Sequence, residues 1–352
     1  MKNLNLLQQK ILLILFKNAE AASSLIHEKL LEIKETHSFL TTKRHLASLL
    51  KNGFIISNGK SRAIKYKLSV LGHLFLDINA KEYCSIEPDK RYGLNSFNFD
   101  LLESFPEKIF NEKEEKDLDK ASIIFRKRSK DLSASLLKRE IERFVVEFSW
   151  KSSKIEGNTY SLLDTEKLLL ENKVAEGKSL EETQMIINHK NVFDYIINNL
   201  SDFKKITKKN LSEVHEIIVD KLNIDKKFRE RPVGVTGSIY RPLDNKSQIE
   251  KAIDDFIKVL AYLKSPYDQA LFILVFISYI QAFDDGNKRT ARVLAIALLL
   301  ANNLAPLSYR SIDENDYRDA VLSFYELNSI IPLKNIFIDQ YIFASHNYLF
   351  NS

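Results

Sequence analysis

Cysteine is all but missing from this chain. One residue, Cys84, in 352 excludes an internal disulfide and a zinc site built from several thiolates, and it fits a reducing cytoplasm. Glycine and proline are scarce as well, at 9 and 7, which argues against a fold of many short strands and favours a mainly helical chain. No apolar run reaches the roughly 20 residues that a membrane-spanning helix needs. The longest, residues 270–280, reads as a buried core helix. The N-terminal run from Ile11 to Phe16 is short, follows Gln8 and Gln9, and lacks a small-residue cleavage site. Neither a secretory leader nor a membrane partner is expected.

Acidic residues are missing from one long stretch. Between Thr36 and Leu76 there is none, against Lys43, Arg44, Lys51, Lys60, Arg62, Lys65 and Lys67. Residues 1–80 hold 12 Lys/Arg and 5 Asp/Glu, while the whole chain carries only +5. The basic surplus therefore belongs to the N-terminal segment, and the remainder is slightly acidic.

What is present in quantity is core. Hydrophobic residues make up 45% of the chain, enough for two or three globular domains. In the N-terminal segment, residues 5–17 and 22–34 carry apolar side chains at helical spacing. Thr41 and Thr42 are placed to cap a third helix, Lys43 to Lys51, with Leu46, Leu49 and Leu50 inward. Gly53 stops it, residues 54–56 read as a strand, residues 58–62 as a turn, and residues 64–68 as a returning strand. Three helices and a basic-tipped hairpin form the pattern of a winged helix-turn-helix. Lys43 and Arg44 would start its recognition helix, and Lys60 and Arg62 would tip its wing. Duplex DNA is the expected partner of this segment.

Residues 73–115 show no strong periodicity and residues 112–120 are a charge-rich run, so this region reads as a connector with short helices. An amphipathic helix follows over residues 132–151, with Leu136, Leu137, Ile141, Phe144, Val145 and Phe148 on its apolar side.

Residues 281–292 are the most informative stretch: Gln-Ala-Phe-Asp-Asp-Gly-Asn-Lys-Arg-Thr-Ala-Arg. An apolar helix stops, a polar loop intervenes, and a second apolar helix begins. A helix N-terminus offers unpaired N–H groups and a partial positive charge to an anion. Arg289 and Arg292 are three apart on its first turn and lie on one side. Asp285 adds a hard oxygen ligand suited to Mg2+. Together they describe a cradle for a triphosphate and its metal.

This stretch closely resembles the signature of the Fic (filamentation induced by cAMP) family, His-x-Phe-x-(Asp/Glu)-Gly-Asn-(Gly/Lys)-Arg-x-x-Arg. Gln281 stands where that family has its catalytic His, and the other fixed positions match. Residues 152–159, Ser-Ser-Lys-Ile-Glu-Gly-Asn-Thr, resemble the family's inhibitory motif, with Ser152 and Glu156 on its key positions. Residues 228–242 carry small and β-branched residues between two prolines, Pro232 and Pro242, and resemble the family's flap, including Thr236, Gly237, Ser238 and Tyr240. The resemblance implies a mainly α fold: a Fic-type helical domain with a small β-hairpin flap behind the winged helix. It divides the chain into residues 1–72, a connector at 73–130, and a Fic domain with its inhibitory helix at 131–345.

The resemblance also implies a chemistry. A target protein's Ser, Thr or Tyr hydroxyl attacks the α-phosphate of ATP, and AMP is transferred. Gln281, Asn287 and Arg289 fall on catalytic positions. Gly286, Asn287, Lys288, Arg289 and Arg292 would hold the phosphates, Asp285 the Mg2+, and Phe283 would pack inward to fix the loop. Glu156 would pair with Arg292 and block the outer phosphate. Gln281 is neutral and accepts no proton near pH 7, and losing a general base costs about 10²–10⁴ in rate. The expected protein is thus an autoinhibited, ATP-binding adenylyltransferase, weak or inactive as it stands. The alternatives are a non-catalytic nucleotide-sensing transcription regulator and, because of Lys288, a kinase of the Doc type. His189 and His215 lie far from the motif in sequence and read as surface or core residues. A homodimer is left open.

Overall fold

The computed structural model describes residues 4–60, 63–130 and 132–350. The chain opens with α1 (Leu6–Asn18), β1 (Ala21–Ala22), α2 (Ser23–Glu32), α3 (Phe39–Lys51), β2 (Ile55–Asn58) and β3 (Lys65–Leu68). β3 lies between β1 and β2 and is antiparallel to both, with Ile55 opposite Leu68 and Asn58 opposite Lys65. Three helices and a hairpin thus occur in the expected order. Two details differ. α3 begins at Phe39, because Ser38 accepts the Thr41 amide at 3.2 Å and caps it. Thr41 and Thr42 are therefore inside the helix, and Thr42 is buried against His27. Leu50 is 40% exposed, since the inward stripe runs through Thr42, Leu46 and Leu49 and Leu50 lies past its edge. Lys43, Arg44 and Lys60 are exposed. Arg62, expected at the wing tip, lies outside the described residues.

The region after β3 holds α4 (Val70–Leu74), α5 (Ala80–Cys84), α6 (Asp100–Glu103) and α7 (Glu112–Ser129). The charge-rich run at 112–120 is not short-helix connector but the first half of α7. Asn111 and Glu114 form a reciprocal cap at its start, and Arg126, Lys127 and Arg128 occupy its last turn. Both charge placements suit the helix dipole. Leu118, Ala121, Ser122 and Phe125 make its buried stripe.

The remaining helices are α8 (Ala134–Ile155), α9 (Leu162–Glu171), α10 (Leu180–Asn198), α11 (Lys208–Ile218), α12 (Lys246–Tyr262), α13 (Pro266–Ile280), α14 (Asn287–Ala301), α15 (Glu314–Leu327) and α16 (Ile331–Asn347). α13 and α14 pack on each other at the centre and are buried on nearly every side. A helix apolar all round must be enclosed. α12, α15 and α16 cover α13, while α8, α11 and a short turn of 3-10 helix at Leu200–Lys204 cover α14. The expected long helix at 132–151 is α8. None of the described helices is long and apolar enough to cross a membrane.

Residues 228–242 do not form the expected β-hairpin. They run as irregular chain with one turn at residues 236–237 and one isolated parallel bridge between Arg241 and Ser96. Pro232 and Pro242 withhold ladder donors. The Arg229 guanidinium takes the carbonyls of Gln281, Arg231 and Leu243, which holds the loop's ends without strand pairing.

Candidate functional site

α13 ends because Gln281 turns left-handed, at φ 51° and ψ 54°. The loop that follows is closed by its own side chains. Asn287 accepts the Phe283 amide at 3.0 Å and donates to the Phe283 carbonyl at 2.8 Å. It also donates to Gln281 Oε1 at 3.1 Å. Gln281 Nε2 in turn donates to the Ser278 carbonyl at 2.6 Å and to Tyr325 Oη at 3.2 Å. Both ends of the Gln281 carboxamide are thus occupied by the scaffold. Phe283 is fully buried and stacks on His215, with ring centroids 3.5 Å apart.

Gly286 caps α14 at φ 80°, and a Cβ there would sit 2.9 Å from Val219 Cγ1 and 3.2 Å from the His215 ring. Only glycine meets both demands. With no side chain at the cap, the first-turn amides of α14 have no side-chain acceptor, and the helix start keeps its affinity for an anion.

Arg289 and Arg292 are almost fully buried. Arg289 pairs with Asp285 at 3.0 Å, and Asp285 itself is 67% exposed on the loop. Arg292 pairs with Glu156 Oε1 at 2.8 Å, donates to Ser152 Oγ and to the Ser152 carbonyl at 3.0 and 3.1 Å, and lies over the Tyr317 ring. The Nη1 atoms of both arginines have no hydrogen-bond partner. A buried donor without an acceptor is costly, and two of them beside an open helix start suit an anion.

Glu156 is the C-cap of α8. Its second oxygen pairs with Lys288 Nζ at 2.8 Å. Burial alone would push its carboxyl up, but Arg292 and Lys288 outweigh burial and hold it at about 2. The sequence places Lys288 among phosphate ligands by its backbone and gives no sign that its side chain grips Glu156.

His189 is fully buried and adjoins this site. Nδ1 faces the Met185 carbonyl at 2.9 Å and Nε2 faces Ser152 Oγ at 3.0 Å. Burial, helped by the nearby arginines, pushes the ring down to about 3. A neutral ring donating from Nδ1 must accept from the Ser152 hydroxyl, whose oxygen is then free to accept from Arg292. His215 is likewise pushed down to about 3 by burial. The distance in sequence that set these histidines apart from the motif is cancelled by folding. His215 touches it through Phe283 and Thr290, and His189 reaches Arg292 through Ser152.

A cleft of about 290 Å3 opens on this assembly. Gln281, Asp284, Asp285 and Lys288 line one side, and Val233, Gly234, Val235 and Thr236 line another. Tyr317, Arg318 and Tyr325 of α15 complete it. Gly237, Ser238 and Tyr240 lie elsewhere. The Gly237 carbonyl accepts from Arg91 at 2.9 Å, Ser238 Oγ donates to Glu326 at 2.6 Å, and the buried Tyr240 donates to the Tyr279 carbonyl at 2.8 Å. Lys43, Arg44 and Lys60, on α3 and beyond β2, are not among the residues of this cleft.

Comparison with known proteins agrees with this geometry. The family model described as "Fic/DOC family" matches residues 205–299, so the chain carries a Fic/DOC family domain. It is 28% identical over 194 residues to a protein adenylyltransferase Fic of Culex quinquefasciatus, covering 53% of this chain and 38% of that one. It is 28% identical over 185 residues to another of Nematostella vectensis, covering 51% and 43%. The chain thus spans less than half the length of these relatives. Among solved structures it is similar to Fic-1 from C. elegans, with TM-score 0.59 and 18% identity over 67% of this chain and 72% of that one. It is also similar to a Fic domain containing signaling protein from Bacteroides thetaiotaomicron, with TM-score 0.55 and 21% identity over 65% and 94%. The mainly helical fold is that of these proteins.

Proposed function

We propose that this chain is a protein adenylyltransferase of the Fic type, restrained by Glu156 and slowed by Gln281. The observation that carries the reading is the pair of buried arginines, Arg289 and Arg292, each with an unpartnered Nη1. They stand on the first two turns of α14, whose cap residue Gly286 offers no side chain, beside the cleft. The names of the relatives point to the same chemistry.

The residues fit ATP. The α14 amides and both arginines take phosphate oxygens, and α15 and the segment 233–236 close the cleft. They also fit Mg2+ in its usual manner, with few protein ligands and several phosphate oxygens. Among the described residues no cluster of three His, Cys, Asp or Glu holds a metal unaided, and Asp285 is the exposed carboxylate nearest the arginines. Asp285 would hold the metal, which would supply positive charge against the phosphates. A target hydroxyl oxygen attacks the α-phosphorus, the bond to the β-phosphate oxygen breaks, and pyrophosphate leaves. The hydroxyl proton has no acceptor at Gln281, whose amide is spent on Ser278, Tyr325 and Asn287. It must pass to solvent, so the step is slow. Labelled ATP with cell lysate tests this. Gln281→His with Glu156→Gly should label proteins about 10²–10⁴ times faster than the chain as it stands. No labelling from that double variant would reject the reading.

A second activity is proposed for residues 1–72, a winged helix that binds duplex DNA. It is supported by the order of α1–α3 before the β2–β3 hairpin, and by the exposed Lys43, Arg44 and Lys60 in the stretch from Thr36 to Leu76, which has no acidic residue. Nucleotide occupancy of the Fic/DOC domain would then inform DNA binding. The names of the relatives give the Doc-like kinase no support.

A further inference from the structure

Glu326 on α15 is a fully buried carboxylate outside the cleft. Ser238 Oγ donates to its Oε1 at 2.6 Å, Arg91 Nη1 donates to the same oxygen at 3.2 Å, and Tyr83 Oη donates to Oε2 at 2.7 Å. A buried carboxylate is tolerable only with this kind of pairing. Arg91 spreads the connection. It donates to the carbonyls of Cys84 and Ile86 at 2.8 Å each, and to that of Gly237 at 2.9 Å. The chain after Arg91 continues the contact: Leu94 N donates to the Glu326 carbonyl at 2.6 Å, and Arg241 N donates to Asn95 O at 3.0 Å. Gly93 permits this approach, since a Cβ there would lie 2.9 Å from Tyr83 Oη and 3.0 Å from the Glu326 carbonyl oxygen.

The flap loop therefore has two unlike halves. Residues 233–236 line the cleft. Residues 237–241 are fastened to Glu326 and to the segment 91–96 that precedes the Fic/DOC match. Tyr92 also carries α1: Lys17 Nζ lies 4.5 Å from its ring and Phe16 packs edge-on. An anchor that immobilises one half of a short loop fixes the backbone of the other half.

We propose that Arg91 and Glu326 are positioning residues that hold the flap, so that presentation of the protein target depends on the connector as well as on the Fic/DOC domain. This rests on the adenylyltransferase reading for the meaning of "target", but the anchor itself is testable without activity. The full chain is compared with Ser238→Ala, which removes the hydrogen bond to Glu326 and the one accepted from the Tyr240 amide, and Arg91→Lys, which keeps the charge and loses the fork. Amide exchange of residues 235–241 should quicken about tenfold or more in both variants, while calorimetric affinity for ATP–Mg2+ stays within about twofold. In a Gln281→His, Glu156→Gly background, label transferred to lysate protein should fall about fivefold or more relative to AMP released to water. Unchanged flap exchange in both variants overturns the proposal. So does an ATP affinity that collapses in parallel with the flap, because the cluster would then only maintain the fold. Quicker exchange with no AMP transfer from any variant supports the anchor and overturns the adenylyltransferase reading.

Discussion

Lys288 and Glu156 form a 2.8 Å ion pair that stands beside the pair between Glu156 and Arg292, not in place of it. One carboxylate, held ionised by burial-defying attraction at about 2, bridges two cations of the same helix turn. On the proposed reading, a nucleotide detaches it from both.

Glu156→Gly should therefore tighten ATP–Mg2+ binding by about tenfold or more, or about 1.4 kcal/mol. Lys288→Ala should give a smaller gain, because Lys288 is 38% exposed and water weakens its hold. Titration calorimetry on the three chains measures both. A loss of affinity in Lys288→Ala matching that of Arg292→Ala would make Lys288 a phosphate ligand first and a clamp second.

Ser152 and His189 should matter for Arg292 even when Glu156 is gone. In the Glu156→Gly chain, Ser152→Ala or His189→Phe leaves Arg292 Nε without its acceptor or leaves that acceptor misdirected. ATP affinity should drop about fivefold, consistent with roughly 1 kcal/mol per hydrogen bond. Because the ring stays neutral far below its usual range, the affinity ratio between variant and parent should not change from pH 8 to pH 5.5. A ratio that shifts near pH 6.5 would mean that His189 binds a proton there.

Stability should fall with acid. His189 and His215, depressed to about 3 mainly by burial, titrate near 6.5 when unfolded. Their contribution is full above pH 6.5 and is lost as pH falls toward 3. Asp268 acts in the opposite sense. Burial raises it to about 6, against the pull of the Ile109 and Phe110 amides. The folded chain therefore binds its proton first, which adds stability as pH falls from 6 to 4. Two histidines against one aspartate leave about 1.4 kcal/mol lost per pH unit between pH 6 and 5, and Glu156, held at about 2, steepens the loss below that. Urea melts across that range test it, and a variant lacking His215 should flatten the slope. Stability that rises toward pH 4 would contradict the assignment.

Binding of the full chain to duplex DNA should weaken steeply with salt. Removing Lys60 and Arg62 should flatten the log–log salt slope by about 1–2 and weaken all sequences alike. Changing Lys43 or Arg44 on α3 should alter sequence preference instead. Anisotropy titrations at several salt concentrations separate the two. No binding at low salt would leave residues 1–72 as a protein-contact module.

The helix pair and its loop were legible because their signals are local. The apolar run of α13, the break at Gln281 and the restart after Gly286 are contiguous in the chain. The capped start and buried stripe of α7 were equally local, but the charge-rich run at 112–120 masked them. Contacts across long separations left no such trace. His189 meets Ser152 across 37 positions, and Glu326 meets Arg91 across 235; no spacing rule connects them. The flap misled for a physical reason. Its residues suit a strand, but Arg229, Arg91 and Glu326 satisfy its backbone and side chains before a partner strand is needed.

The knot of hydrogen bonds among Gln281, Phe283 and Asn287 bears on what happens when a ligand arrives. Those bonds use atoms of the loop and of the helices beside it, α13, α14 and α15. The loop is preorganised: its ordering entropy is lost when the chain folds, so the proposed nucleotide would not have to supply it. Little is left for a ligand to rearrange except the carboxylate at the end of α8. Regulation of such a site resembles the lifting of a plug from a finished socket more than the shaping of the socket around its guest.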